Sequence, residues 1–288
     1  MSIPNEIKIG ILGAGGKMGM RIGANLKKLS NEIFYIENAE AGIKRLDEIG
    51  IEVSAPTAVM GQLDFLILAV PDLYINKITT EVVPDMKSDA IVLLLDPAAA
   101  YMDQVCIRED LHYTVIHPCH PALFKDQPTL EGYHDHFGGI SGLQDIVSTH
   151  WKGTRDKYEL ACDVVREMFA PVDQIFEITL KQMAFLEPSV VEVCGLSLVS
   201  VFKELVEEMD KRGIPKEAGM SFLLGHIKIE LAILLLGSNP ASDAAMIAMD
   251  YGKDKIIKAD WKKVLTDESL NEVLAKMLKL DKNSAQAP

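Results

Sequence analysis

The sequence has little of what marks an exported, membrane-embedded or nucleic-acid-binding chain. Only four cysteines occur in 288 residues, Cys106, Cys119, Cys162 and Cys194, and they stand far apart with no paired spacing. That pattern excludes a disulfide scaffold and reads as free thiols in a reducing compartment. The N-terminal segment MSIPNEIKIGILGAGG lacks the basic stretch, long apolar run and small-residue cleavage site of a secretory signal. No uncharged run approaches the ~18 apolar residues that a membrane span needs; the longest candidate, Leu231 to Gly237, is far shorter. Positive charge is scarce too, with 29 Lys and Arg against 42 Asp and Glu, a net charge of −13 and a pI near 5.0. A surface so acidic repels phosphate backbones and anionic lipid, and no basic patch overrides the mean. The expectation is a cytoplasmic protein with no nucleic-acid and no membrane partner. Internal repeats and low-complexity tracts are missing as well.

What is present is an ordinary globular mixture, 48% hydrophobic and 25% charged. The first half alternates short β-branched runs with helical stretches: Ile7 to Leu12, Ile33 to Glu37, Phe65 to Val70, Ile91 to Leu95 and Tyr113 to Ile116. Their apolar residues are consecutive, as in parallel strands covered on both faces. This predicts an α/β fold, an N-terminal doubly wound Rossmann sheet. Gly139 to Val147, a helix over Arg155 to Phe169, and Asp173 to Phe176 extend the same sheet. The domain boundary falls near Glu177, giving a dinucleotide-binding domain over 1–177 and an all-α substrate and dimerisation domain over 178–288.

In that second half, Leu180 to Met209 is apolar almost all round, and a helix without a polar face is normally buried. It belongs at a domain core or a homodimer interface. A second apolar helix, Phe222 to Leu236, stops at Gly237-Ser-Asn-Pro. The tail Asp281 to Pro288 is expected to fray.

Gly13-Ala14-Gly15-Gly16-Lys17-Met18-Gly19 follows the first strand and opens a helix, the setting in which backbone can approach a pyrophosphate at a positive helix end. The third glycine of the usual fingerprint is displaced, Met18 standing where it would fall. Glu37, ending the second strand, suits the adenosine ribose hydroxyls and repels a 2′-phosphate. No arginine adjoins it in sequence, so NAD is the expected cofactor. Val70 and Pro71 end a further strand on the ligand-bearing edge, as does Asp96-Pro97-Ala98-Ala99.

His117-Pro118-Cys119-His120-Pro121 ends the next strand, two prolines stiffening the backbone around two imidazoles and a thiol. Either the histidines are hydrogen-bonded in a tight loop, or they carry chemistry. Glu187 and Glu192 lie in an otherwise apolar segment, where a carboxylate is costly unless paired or bound to a cation. Against that, Pro188 could start a helix, with Glu187 a favourable terminal charge and Glu192 an exposed residue. On the metal reading His120, Glu187 and Glu192 hold a divalent ion, zinc first, acting as a Lewis acid. His117 or His226 then accepts the proton; His226 shares a helix face with Glu230.

The sequence resembles the superfamily of 6-phosphogluconate dehydrogenase, 3-hydroxyacid dehydrogenases and ketol-acid reductoisomerase. Glu177 to Glu187 runs parallel to the reductoisomerase stretch that ends in a metal-binding aspartate, and Cys194-Gly195, Phe222-Leu-Leu-Gly-His226 and Met249-Asp250-Tyr251-Gly252 continue the likeness. The reductoisomerase glutamates are replaced by Leu223 and Ile227, so its two-metal site is not intact. The His-Pro-Cys-His-Pro loop with one surviving helix carboxylate resembles the D-apionate oxidoisomerase family. That resemblance implies NAD-dependent oxidation of a branched sugar acid with migration of a carbon substituent. The rivals are a 3-hydroxyacid dehydrogenase acting without migration and a non-catalytic NAD-binding subunit.

Overall fold

The computed structural model describes residues 3–280; the expected fraying of Asp281 to Pro288 lies outside them. The chain divides into two compact units, one formed by residues up to Glu187 together with those from Asn271 onward, the other by Pro188–Leu270.

The first unit is built on seven strands: β1 (Ile9–Leu12), β2 (Ile33–Ile36), β3 (Phe65–Leu68), β4 (Ile91–Leu94), β5 (His112–Pro118), β6 (Gln144–Lys152) and β7 (Val172–Glu177), in the order β2-β1-β3-β4-β5-β6-β7. Strands β1 to β5 are parallel, as expected for consecutive apolar runs. Alternate residues supply opposite faces. Ile9, Ile11, Phe65, Ile67, Ile91 and Leu93 enter one buried cluster, while Leu12, Leu66, Leu68, Val92 and Leu94 enter the other. Burying both faces is why these strands show no polar alternation.

One difference from the expected parallel sheet is β6, which pairs antiparallel with β5. The long connection after β5 returns the chain at the edge it left by, so the next strand runs back; β7 is then parallel to β6.

Around the sheet lie α1 (Lys17–Leu26), α2 (Glu40–Asp47), α3 (Ile75–Val82), α4 (Arg155–Met168) and α5 (Leu180–Ala184). Thr179 and Gln182 form a capping box that starts α5. After α5 the winding widens to π-helix over Phe185–Leu196, with Pro188 inside it. Proline has no N–H for the tighter ladder, and π turns concentrate at functional positions. Pro188 therefore does not start a helix, which removes the reading of Glu187 as a simple N-terminal charge.

The second unit holds α6 (Ser197–Lys211), α7 (Lys216–Leu236) and α8 (Asp243–Ile256). These helices are apolar yet uncovered: Leu198 is 56% exposed, Phe222 68%, Leu235 73% and Ile247 71%. Leu180–Lys211 and Lys216–Leu236 are long and apolar enough, by length and composition, to cross a membrane. The sequence reading found no such stretch because it counted only uncharged runs.

The last helix, α9 (Asp267–Met277), carries the chain back to the first unit, where Leu274 and Leu278 are buried. The break between units thus falls ten residues after the expected Glu177, and the C-terminal residues belong with the sheet. The cause is that α5 keeps packing on the sheet, Met183 and Ala184 being fully buried.

Candidate active site

The carboxyl ends of β1, β3, β4 and β5 share one edge, where ligands of open α/β sheets sit. The glycine turn leaves β1 there. Gly13 has φ +85°, and a Cβ on it would strike the Ala69 carbonyl, so the turn admits only glycine. Glu37 is held ready beside it. Its Oε2 accepts the Gly15 N–H at 3.0 Å, and its Oε1 accepts those of Asn38 and Ala39 at 2.9 Å each. A Cβ on Gly42 would lie 2.6 Å from the Glu37 carboxyl carbon, so α2 approaches this carboxylate as only glycine allows. Gly16 meets nothing closer than the Gly13 carbonyl at 3.2 Å, leaving the start of α1 open on the ligand side. A bare turn, a positive helix end and a fixed carboxylate fit a dinucleotide. Arg45, absent from the sequence argument, reaches this turn from α2 and donates from Nε to the Gly15 carbonyl at 2.7 Å. Lys17 is exposed, Met18 half-buried and Gly19 buried at the start of α1, while Ala14 is fully buried under the turn. Val70 and Pro71 follow β3 on the same edge, Val70 half-buried and Pro71 exposed.

Next along this edge, Asp96, His117 and Glu187 converge, each offering a ligand atom within 4.8 Å of the others. Asp96 follows β4, His117 lies in β5 and Glu187 in the π-helical stretch. Asp96 Oδ1 accepts the Ala98 N–H at 2.8 Å, and its Oδ2 lies 3.6 Å from His117 Nδ1. Burial pushes the Asp96 carboxyl above its usual range despite that N–H. Burial also pushes His117 down to about 4, with the nearby His120 acting in the same direction and the Leu95 carbonyl opposing it. His117 is therefore a neutral imidazole at pH 7. Its Nδ1 donates to the Leu95 carbonyl at 3.2 Å, which leaves the Nε2 lone pair for a ligand. Two carboxylates and one neutral imidazole, half-buried, are a donor set that suits a divalent cation.

The trio differs from the His120, Glu187 and Glu192 set expected from sequence. Of that set Glu187 is in it, while Asp96 and His117, the latter expected as a proton acceptor, take the places given to His120 and Glu192. Glu192 is exposed, five residues past Glu187 and within the second unit. His120 is not among these ligands; its Nδ1 is bonded to the Phe137 carbonyl at 2.7 Å. His226 also lies in the second unit. It is exposed on α7, stacked on Phe222 with ring centroids 4.0 Å apart, in a groove of about 530 Å³ shared with Glu230, Met246 and Met249. The sequence placed Asp96-Pro97 on the ligand edge directly after a buried strand but gave Asp96 no ligand role. Asp135, legible in the sequence only as part of an imidazole-rich loop with His134 and His136, has a carboxylate that accepts the N–H groups of Gly138, Ile140, Ser141 and Gly142 at 3.0 Å each.

Residues 125–278 match the family model "Phosphogluconate dehydrogenase (decarboxylating) C-term". A crystal structure of a semialdehyde dehydrogenase NAD-binding protein from Cupriavidus necator, in complex with calcium and NAD, superposes with a TM-score of 0.89 at 37% identity, covering 94% of this chain and 99% of that one. An NADH-preferring ketol-acid reductoisomerase from an uncultured archaeon shares the fold, with a TM-score of 0.67 at 17% identity over 95% of this chain and 82% of its own. The D-apionate oxidoisomerase of Pectobacterium atrosepticum is 43% identical over 96% of this chain and 98% of its own length. That of Blautia hydrogenotrophica is 40% identical over the same shares. With a Rossmann sheet, a helical second half and this likeness from end to end, the chain belongs to the D-apionate oxidoisomerase family.

Proposed function

We propose that this protein is an NAD-dependent, metal-assisted oxidoisomerase that converts a small branched sugar acid of the D-apionate type to a 3-oxo-isoapionate type of product. The observation that carries the reading is the convergence of Asp96, His117 and Glu187 on the edge that also bears the glycine turn and Glu37. A hydride acceptor and a Lewis acid are then neighbours, which oxidation followed by a shift of a carbon substituent requires. When bound, NAD supplies the hydride acceptor and a divalent cation lowers the pKa of a substrate hydroxyl.

The protein's own groups provide the setting. Asp96 and Glu187 bring negative charge into a half-buried place, His117 stays neutral, and Glu37 with the glycine turn holds the dinucleotide. His226 is the residue of the second unit to which the sequence gives a proton-transfer role. For the ion we propose zinc first, on the strength of the imidazole donor; the calcium of the Cupriavidus protein makes oxygen-favouring ions the direct comparison.

We further propose a homodimer working in the cytoplasm. The uncovered apolar faces of α6, α7 and α8 are of the kind a second copy covers. An acidic chain with free thiols is at home in a reducing compartment.

The test is to incubate purified protein with NAD, D-apionate and each of zinc, manganese, magnesium and calcium after chelation. NADH formation is followed, and the product skeleton is read by carbon NMR. A rearranged product retaining every carbon supports the reading. An unrearranged ketone or loss of carbon dioxide makes the protein a simple 3-hydroxyacid dehydrogenase, and NAD binding without turnover or metal dependence makes it a non-catalytic subunit.

A further inference from the structure

We propose that His120 takes the proton from the substrate hydroxyl, and that Phe137 and Arg21 are positioning residues that keep its Nε2 free to do so; the assignment rests on the oxidoisomerase reading above. His120 has φ +58°, in the left-handed region that a histidine seldom occupies, and it sits between Pro118 and Pro121. Such backbone persists when neighbours fix it, and here they do. The Cys119 N–H donates to the Asp145 carbonyl at 2.9 Å. His120 Nδ1–H donates to the Phe137 carbonyl at 2.7 Å, and the two rings lie 4.9 Å apart. A carbonyl only accepts, so the proton is on Nδ1 and the lone pair on Nε2.

The support behind Phe137 comes from α1, the helix that opens on the glycine turn. The guanidinium carbon of Arg21 lies 4.4 Å from the Phe137 ring centroid, and the same side chain donates to the Gly138 carbonyl. Asn25, one turn on, donates to the Gly139 carbonyl at 2.9 Å. Asp135 gathers four N–H groups of the following residues, so the segment is held at both ends. His120 follows His117 by three residues just past the carboxyl end of β5, the edge on which Asp96, His117 and Glu187 converge.

In the oxidation, the C–H bond breaks and its hydride passes to NAD, the oxidant. The O–H bond breaks, its electron pair completes the new carbonyl, and the proton ends on His120 Nε2, from which it is released to water.

The test uses the full-length protein with NAD and D-apionate. His120→Asn keeps a left-handed residue and a donor for the Phe137 carbonyl but removes Nε2; kcat should fall by ~10²-fold or more with NAD affinity unchanged. Long-range proton–nitrogen NMR of the free wild type should show the Nδ1–H tautomer of His120, and Arg21→Met should mix the two tautomers and lower kcat more than it raises KM. Wild-type protein inactive on D-apionate would overturn the functional reading and this assignment with it. Active wild type with undiminished His120→Asn turnover, or an Nε2–H tautomer, would overturn this assignment alone.

Discussion

His117 Nδ1 lies 3.6 Å from Asp96 Oδ2 yet spends its proton on the Leu95 carbonyl at 3.2 Å. The imidazole is thus oriented by the main chain of the preceding strand end, and the carboxylate is not neutralised by it. Asp96 keeps one oxygen on the Ala98 N–H and presents the other to the trio.

Metal affinity should depend on this trio. Asp96→Asn and Glu187→Gln are each expected to weaken divalent-ion binding by more than ~10-fold, since even outer-shell losses cost that much. Glu192→Gln should leave it unchanged. Titration calorimetry on the metal-stripped protein checks all three.

Coenzyme choice should depend on Glu37. Glu37→Gln removes a charge held by three backbone N–H groups and beside which Arg45 reaches the turn. Charge-assisted hydrogen bonds are worth ~1.5–3 kcal/mol, so NAD should bind about 10- to 100-fold more weakly while NADP gains. Dissociation constants for both dinucleotides decide it.

Gly42→Ala should reproduce part of that effect from the far side of the carboxylate. Its Cβ would press on the Glu37 carboxyl at 2.6 Å. Overpacking of this kind costs ~1–3 kcal/mol, so the melting temperature should drop, and the stabilisation that NAD adds should drop with it.

Acid sensitivity should involve Asp135. Burial raises its pKa, but four backbone N–H groups together outweigh burial and leave it below the ordinary carboxylate value. A lowered folded-state pKa means stability that is complete above the unfolded pKa of ~3.9 and lost as pH falls through the folded value. The stability gap between wild type and Asp135→Asn should be constant from about pH 5 to 7 and should close below about pH 4, as read by urea unfolding.

Light scattering should give twice the chain mass of 31.7 kDa without detergent. Leu235→Glu, at a position 73% exposed within one chain, should lower that mass towards the monomer.

Much of the sheet was legible in the sequence because burial on both faces leaves a direct mark: consecutive apolar residues at β1, β3 and β4. The glycine turn and Glu37 were legible for a similar reason, since close backbone approach tolerates few residue types. The reversal at β6 was not legible, because strand direction is set by where a connection ends and composition carries no trace of it. Nor was the grouping of Asp96 with His117 and Glu187, whose separation along the chain says nothing about distance across a sheet edge. The histidine loop announced its chemistry but not its division of labour. One imidazole stands beside Asp96 and the other bonds the Phe137 carbonyl from a left-handed residue, and no pattern of letters encodes that angle.

The Arg21, Asn25 and Asp135 anchors make the Phe137 segment that holds His120 a mould already set before any guest arrives. A small acid entering such a mould freezes few rotors of the host, so its affinity can come from a handful of polar contacts. Calorimetry of substrate binding should accordingly show a small heat-capacity change, unlike that of enzymes that must fold a flap over their cargo.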